Sequence, residues 1–415
     1  MKKTDRSDLV RQALDGLTME GLLRLELREA ILGIGFRAVE LLLEEERTAA
    51  CGPRYRHASD REASRYGYAA GELILGGRRA SVRRPRARTK DGREVSLPSW
   101  EHFSSTDPLD ERAVEQMVVG VTTRKYDRSL EGLPESVKAR GTSKSAVSRR
   151  FVAKSQRKLE EWSQRSLADL PLAVIMIDGI HFADNVVLMA LGIDDGGNKH
   201  VLGLQEGATE NTATCSDLLT SLVERGVPTD RPLLFVIDGA KALSKAIRHT
   251  FGDRALVQRC QVHKKRNITE RLPQGLRREV GRKISDAYNC GDAERAKRQL
   301  KALAKEFEES HPSAAASILE GLDETLTITS LGLPKALERS LSTTNAIENL
   351  NGTFRSISRN VKRWRGGKMI LRWVATAADE ASANFRRIKG HTGMPKLMEA
   401  LSQHARDLDS TALAA

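Results

Sequence analysis

Two aspartates in this 415-residue chain each close a run of apolar residues and are followed by glycine: Asp178 in MIDGIH and Asp238 in VIDGA. Such runs read as buried strands. A carboxylate at the end of one stands at the sheet edge, where α/β folds place their sites. Either aspartate alone reads equally well as a turn residue before glycine. Two of them, on strands that could be neighbours, are harder to assign to turns. Close carboxylates repel unless positive charge sits between them. Hard oxygen ligands favour Mg²⁺, with Mn²⁺ able to substitute, over zinc. Two such ions about 3.5–4 Å apart can activate water or a 3′-hydroxyl in phosphodiester chemistry.

A third carboxylate would complete such a cage. Glu348 lies in STTNAIENLNGTFRSISR, which reads as an amphipathic helix. Asn345 precedes it by three residues and Asn351 follows by three, so the helical repeat puts all three on one face. A solvated helix face is the alternative. Cys260 and His263 look like half a zinc site, and a structural zinc needs four ligands. Cys290 and His311 are the remaining candidates, at irregular spacing. Packing, support of a site or of DNA, and metal binding all stay open for the pair. Lys264, Lys265 and Arg266 follow at once and suit phosphate contacts. In KRWRGGKMILRW, Arg363, Trp364 and Arg365 interleave charge with an aromatic ring. They read either as core tryptophans on a basic helix or as a surface facing DNA.

The elements that must position these residues follow from periodicity. From 169 to 263, three strands joined by tight turns are followed by helix, strand, helix and strand. That is an α/β pattern with a mixed sheet. Residues 264–340 show no strand and read as an all-helical insertion. Residues 341–395 return with the Glu348 helix and basic C-terminal helices, and 396–415 is a tail that reads as frayed from 403. Ahead of the sheet, 1–50 is helical, with a break expected at Gly33 and Gly35. Residues 51–105 carry Gly-Gly and Asp-Gly turn signals in a very basic stretch and read as a small β-hairpin element. It is either a solvated basic loop or a strand pair resting on phosphates. Residues 106–168 read as three helices, the last capped by Thr142 or Ser143 and carrying Arg149 and Arg150. A helix-turn-helix DNA reader fits this order, as does an ordinary helical hairpin.

The net charge is +13 with 30% charged residues. A surplus of that sign favours a polyanionic partner, most commonly nucleic acid. Four scattered cysteines without a CxxC pair argue against a disulfide framework and for a reducing compartment. The N-terminal residues contain no apolar h-region, and no apolar run approaches the ~20 residues of a membrane span. The protein is expected to be soluble and intracellular.

Four ordered motifs then resemble the Mutator-like family of bacterial insertion-sequence transposases: MIDGIH at 176–181, VIDGAKAL at 236–243, QRCQVHKKRN at 258–267 and TTNAIENLN at 343–351. Asp238 lies 60 residues after Asp178, and Glu348 a further 110 beyond. The resemblance implies a ribonuclease-H-like catalytic domain with a helical insertion and a mainly helical DNA-binding region before it. It places an Asp–Asp–Glu triad on Asp178, Asp238 and Glu348, as metal ligands for Mg²⁺. Cys260 and His263 belong to its signature. Many relatives carry Asp-Ala-His after the second aspartate, whereas this chain has Gly239 and Ala240, so no histidine role transfers there. The implied activity is binding of terminal inverted repeats, metal-dependent cleavage, and strand transfer into target DNA. No covalent enzyme intermediate is required, and a homodimer on double-stranded DNA is implied. A catalytically silent repeat-end repressor and a simple ribonuclease-H-like nuclease are the alternatives.

Overall fold

A computed structural model describes residues 27–56, 61–105, 111–130, 137–140, 143–182, 185–207 and 211–414. The chain divides into two compact units, residues 1–154 and 155–415.

The first unit contains the expected hairpin. Strands β1 (Ala63–Leu75) and β2 (Arg78–Thr89) pair antiparallel, with Leu75 opposite Arg78. Gly76 and Gly77 form the two-residue turn at φ +60° and +76°. Positive φ at both central positions matches the right-handed twist of the strands, and glycine adopts it without strain. A third strand, β3 (Ala139–Arg140), pairs with β2 and was not expected; two residues are too few to show alternation. Helix α1 (Leu27–Cys51) buries Val39 and Leu43 against Leu73 and Leu97. It runs unbroken through Gly33 and Gly35, where a break was expected. A glycine inside a helix costs only about 1 kcal/mol, and Leu75 packs close over the bare Cα of Gly35. The expected helix before residue 27 lies outside the described residues.

The 106–168 region departs from expectation. Helix α2 is Pro98–Ser105 and α3 is Glu111–Val118. The expected middle helix is a single 3₁₀ turn, Tyr126–Ser129, among the described residues. The free edge of β2 captures the backbone that follows, with Ser81 N donating to Lys138 O at 2.8 Å. The tight helix-turn-helix therefore does not form among the described residues. Helix α4 (Lys144–Gln164) starts as expected: the Ser143 hydroxyl accepts from Ala146 N at 3.2 Å, which caps an orphan donor. Thr142 lies outside the described residues. On α4, Arg149 is exposed and Arg150 half-buried.

The second unit is built on a five-stranded mixed sheet in the order β6-β5-β4-β7-β8. Strands β4 (Leu172–Phe182), β5 (Asn185–Asp194) and β6 (Lys199–Gly207) form an antiparallel meander. Strands β7 (Leu233–Ile237) and β8 (Ala255–Arg259) run parallel to β4. They are reached through helices α5 (Thr212–Glu224) and α6 (Lys241–Phe251). On one face, Leu218, Leu222, Leu243 and Ile247 of these helices pack on Ile175, Ile177, Phe235 and Ile237. Burial of both faces explains the uninterrupted apolar runs.

After β8, six helices follow: α7 (Gln261–Glu270), α8 (Gln274–Tyr288), α9 (Ala293–Glu306), α10 (Pro312–Leu319), α11 (Leu322–Ser330) and α12 (Lys335–Leu341). They enclose their own core, including Ile268, Ile284, Leu300 and Ile318. Gln261 N donates to Ser342 O at 3.0 Å, so the excursion starts and ends at one point. The chain then forms α13 (Asn345–Ile357), which packs on β4, and α14 (Gly367–Ala383), which packs on β6. The tail expected to fray is instead helix α15 (Met394–Ala414). Leu397 and Leu401 are buried at i, i+4 spacing, and Arg254 ties Asp409 at 2.7 Å. No helix among the described residues is long and apolar enough to cross a membrane.

Candidate active site

Register brings the two aspartates together. Ile177 of β4 pairs with Ile237 of β7, and Ile237 with Arg259 of β8. The next residue on each strand is Asp178, Asp238 and Cys260, in one row across three neighbours. Cys260 N donates to Ile237 O at 2.7 Å. Ile177 and Ile237 face the α5/α6 core. One step along a strand reverses the side-chain direction, so Asp178 turns to the face that α13 covers.

Helix α13 then supplies the rest. Asn351 Nδ2 donates to Asp178 Oδ2 at 2.7 Å. Glu348 stands one turn earlier, and its Oε1 accepts from the Thr344 hydroxyl at 2.8 Å. Thr344 is fully buried. Its oxygen also lies 3.4 Å from both Cys260 Sγ and His263 Nδ1. A hydroxyl has one proton, and the shortest contact assigns it to Glu348. Thr344 is thus the link between the Cys260–His263 pair and the glutamate. His263 Nε2 is 3.8 Å from Glu348 Oε1.

The electrostatics record this crowding. Burial, then the charges of Asp238 and Glu348, push the Asp178 carboxyl up to about 6 against the pull of His263. The hydrogen bond to Cys260, with the charges of Cys260, Glu348 and Asp178, lifts the His263 imidazole to about 9 despite its burial. Burial alone would raise the Cys260 thiol, but hydrogen bonds with His263 and Thr344 outweigh it and hold the thiol below its ordinary value.

A stability prediction follows from Asp178. Its folded carboxyl titrates near 6 and its unfolded one near the ordinary 3.8, so folding favours the protonated form. That contribution is fully present below about pH 4 and is lost as pH rises through about 6. In chelator, the thermal midpoint of the parent should decline across that window. Asp178→Asn, which can still accept from Asn351, should flatten this part of the profile. An equal decline in the variant would place the penalty elsewhere.

Two donor sets could hold a cation. Asp178, Asp238 and Glu348 offer carboxylate oxygens, not drawn as close together as the second set, and the buried Asn351 Oδ1 beside Asp178 has no hydrogen-bond partner. An orphaned buried acceptor next to crowded carboxylates fits a hard divalent cation. The second set is Cys260, His263 and Glu348, whose ligand atoms lie within 4.8 Å of one another. The further zinc ligands considered from sequence do not join it. The Cys290 thiol donates to Asp292 O at 3.2 Å, and the His311 ring stacks edge-on to Phe307 at 5.7 Å.

The other singled-out residues separate by exposure. Lys264 corrects the sequence reading: it is 3% exposed, and its ammonium donates to the Glu320 carbonyl. It shares the inner face of α7 with Ile268, one turn on, and is not presented to a phosphate. Lys265 donates to the Ser285 hydroxyl at 3.1 Å, while Arg266 is exposed. The Asn345–Glu348–Asn351 stripe is graded, with Asn345 exposed and Asn351 6% exposed. Arg363 and Arg365 are exposed; Trp364 is half-buried, its ring edge-on to Phe182 at 5.0 Å, at the end of the strand that carries Asp178. Trp373 is core.

Two contributors were missed from sequence. Thr344 sits four residues before Glu348, a spacing that could have flagged it. Arg259, 7% exposed, donates to Gly239 O at 2.8 Å and so pins the loop that follows Asp238. No local pattern announces that contact.

Comparison with known proteins identifies the family. The family described as "Transposase, Mutator family" matches residues 26–388. The chain is 26% identical over 382 residues to the transposase for insertion sequence element ISRM5 of Rhizobium meliloti, covering 90% of this chain and 92% of that protein. It is 28% identical over 278 residues to the transposase for IS6120 of Mycolicibacterium smegmatis, covering 65% and 83%. It is 27% identical over 330 residues to the transposase for IS256 in transposon Tn4001 of Staphylococcus aureus, covering 76% and 80%. With most of its length matched and four motifs converging on one sheet edge, the chain belongs to the Mutator family of transposases.

Proposed function

We propose that this protein is an insertion-sequence transposase that binds the terminal inverted repeats of its element, cleaves the DNA there, and joins the freed 3′-hydroxyl to target DNA. The observation that carries the reading is the row of Asp178 and Asp238 on adjacent parallel strands, closed by α13 through the Asn351–Asp178 hydrogen bond. A mixed sheet with a three-stranded meander and two parallel strands supports a ribonuclease-H-like catalytic domain. Asp178, Asp238 and Glu348 would hold Mg²⁺, with Mn²⁺ substituting. Bound there, such ions activate the attacking oxygen and stabilise the leaving one. The chain's own part is to fix the ligands: Asn351 orients Asp178, Thr344 orients Glu348, and Arg259 holds the loop after Asp238.

DNA contacts come from basic residues in this reading: exposed Arg149 and half-buried Arg150 on α4, half-buried Lys265 and exposed Arg266 on α7, and exposed Arg363 and Arg365 with Trp364 near the site. Asn345, exposed at the start of α13, faces the same substrate. Within the first unit, the arginines of β2 offer a DNA-binding surface of their own. Arg86 and Arg88 lie over the exposed Tyr66 ring, a mixed cationic and aromatic surface of the kind that holds nucleic acid. Two ends are handled together, so the protein acts as a homodimer on DNA.

The test is incubation of the full chain with labelled element-end duplex and a target plasmid, in Mg²⁺ or in chelator. Nicking at the end and transfer to the plasmid are expected in Mg²⁺ only. Binding without cleavage in Mg²⁺ would favour a repressor, and cleavage without end preference or transfer would favour a simple nuclease.

A further inference from the structure

Beside the aspartate row, in the second unit, lies a cleft of about 810 Å³ between α6 and the helices α9 to α11. It begins at Gly239, the residue after Asp238. Six cations line it: Lys241, Lys245, Arg248, Arg259, Lys297 and Lys301. Three carboxylates face them, and each is already matched. Glu320 pairs with Lys241 at 3.1 Å, Glu324 with Arg248 at 2.8 Å, and Asp323 with Lys297 at 2.7 Å. Lys245 and Lys301 are exposed on the cleft wall, and no ion pair holds either among the described residues.

Arg259 is the second observation. It is 7% exposed, and its two terminal nitrogens donate to Gly239 O and Glu320 O. Its Nε is buried without a hydrogen-bond partner, and its nearest carboxylate, on Glu324, is 4.0 Å away. A buried guanidinium with an open donor is costly unless an anion completes it. The α6 N-terminus opens into the same space, and Ala240 at its cap offers no side chain to satisfy the first N–H groups.

We infer that this cleft binds the phosphate backbone of the DNA strand continuing from the scissile phosphate, with Lys245, Lys301 and Arg259 as the anion-binding groups. The space is larger than one phosphate needs, and six cations line it against three carboxylates, as a polyanionic strand requires. Nothing lining it reads bases in a fixed pattern, so the grip is independent of sequence. This inference rests on the transposase reading and extends it to a surface made largely by the helical insertion.

The test measures anisotropy of a fluorescent 30-base-pair duplex of arbitrary sequence with the full chain, between 50 and 300 mM KCl. Lys245→Gln/Lys301→Gln is compared with the parent and with Lys396→Gln/Arg406→Gln, which removes equal charge from exposed positions on α15. Each phosphate contact contributes about 0.9 to the slope of log affinity against log salt. The cleft variant should therefore lose about 1.8 from that slope, and the α15 variant should match the parent. Equal slopes for parent and cleft variant would overturn the inference while leaving the transposase reading intact. A parent that binds no duplex at 50 mM KCl would overturn both. Nicking by the parent in Mg²⁺ stands as the separate readout for the catalytic reading.

Discussion

Glu348→Gln is expected to lower strand cleavage by about a thousandfold or more while leaving DNA affinity within about twofold. Glutamine keeps the length of the side chain, and its amide oxygen can still accept from Thr344. What changes is one negative charge at the only carboxylate that α13 contributes to the site. Charge stabilisation through a bound divalent ion is worth several kcal/mol, and each 1.36 kcal/mol is tenfold in rate. A loss of ~4 kcal/mol thus gives about three orders of magnitude. Single-turnover nicking of a labelled end in Mg²⁺, alongside a mobility-shift titration, separates chemistry from binding. Cleavage within tenfold of the parent would remove Glu348 from the site. The substitution discriminates well because the carboxylate is partly exposed and meets His263 only at 3.8 Å, so little of the fold depends on its charge.

Thr344→Val should reduce cleavage by about 10–100-fold, the usual cost of losing a residue that orients a metal ligand. The side chain is fully buried and donates to Glu348 at 2.8 Å. Valine keeps the shape and removes the hydroxyl, leaving Glu348 free to rotate and the Cys260–His263 pair without its bridge. A merely structural role would lower thermal stability without changing the cation requirement. A positioning role raises the Mg²⁺ concentration needed for half-maximal nicking, and Thr344→Ser restores it. An unchanged Mg²⁺ dependence in the valine variant would end the positioning argument.

Sequence and structure agree most closely where burial dictates the pattern. The five strands are legible because both sheet faces are covered and the runs are long and apolar. Asp178 and Asp238 are legible as a pair, because two carboxylates closing runs that could neighbour each other are harder to assign to turns than either alone. Glu348 is less so: its exposure depends on which face of α13 meets β4, and the Asn–Glu–Asn spacing only raised it as a candidate, while the resemblance to a family assigned its role. Lys264 was misplaced because charge alone says nothing of helix phase, and its turn of α7 points inward beside Ile268. The backbone at 138–140, read from sequence as a polar turn, is taken up by the free edge of β2, a non-local effect invisible to local propensity. Thr344 and Arg259 act through partners distant in sequence.

The hydrogen bond between Gln261 N and Ser342 O has an architectural corollary. The chain departs from the catalytic sheet and rejoins it across a junction as narrow as that of a hairpin. The intervening helices carry their own core and touch the sheet along β8, where the Thr327 hydroxyl donates to Val257 O at 2.7 Å and Gln258 Nε2 to Thr325 O at 3.0 Å. Helices could be added to the far side of this excursion, exchanged or reshaped without altering the spacing between Asp238 and Glu348. The fold thus separates the sheet, and the α9–α11 wall beside it, from a far side of the excursion that is free to diversify.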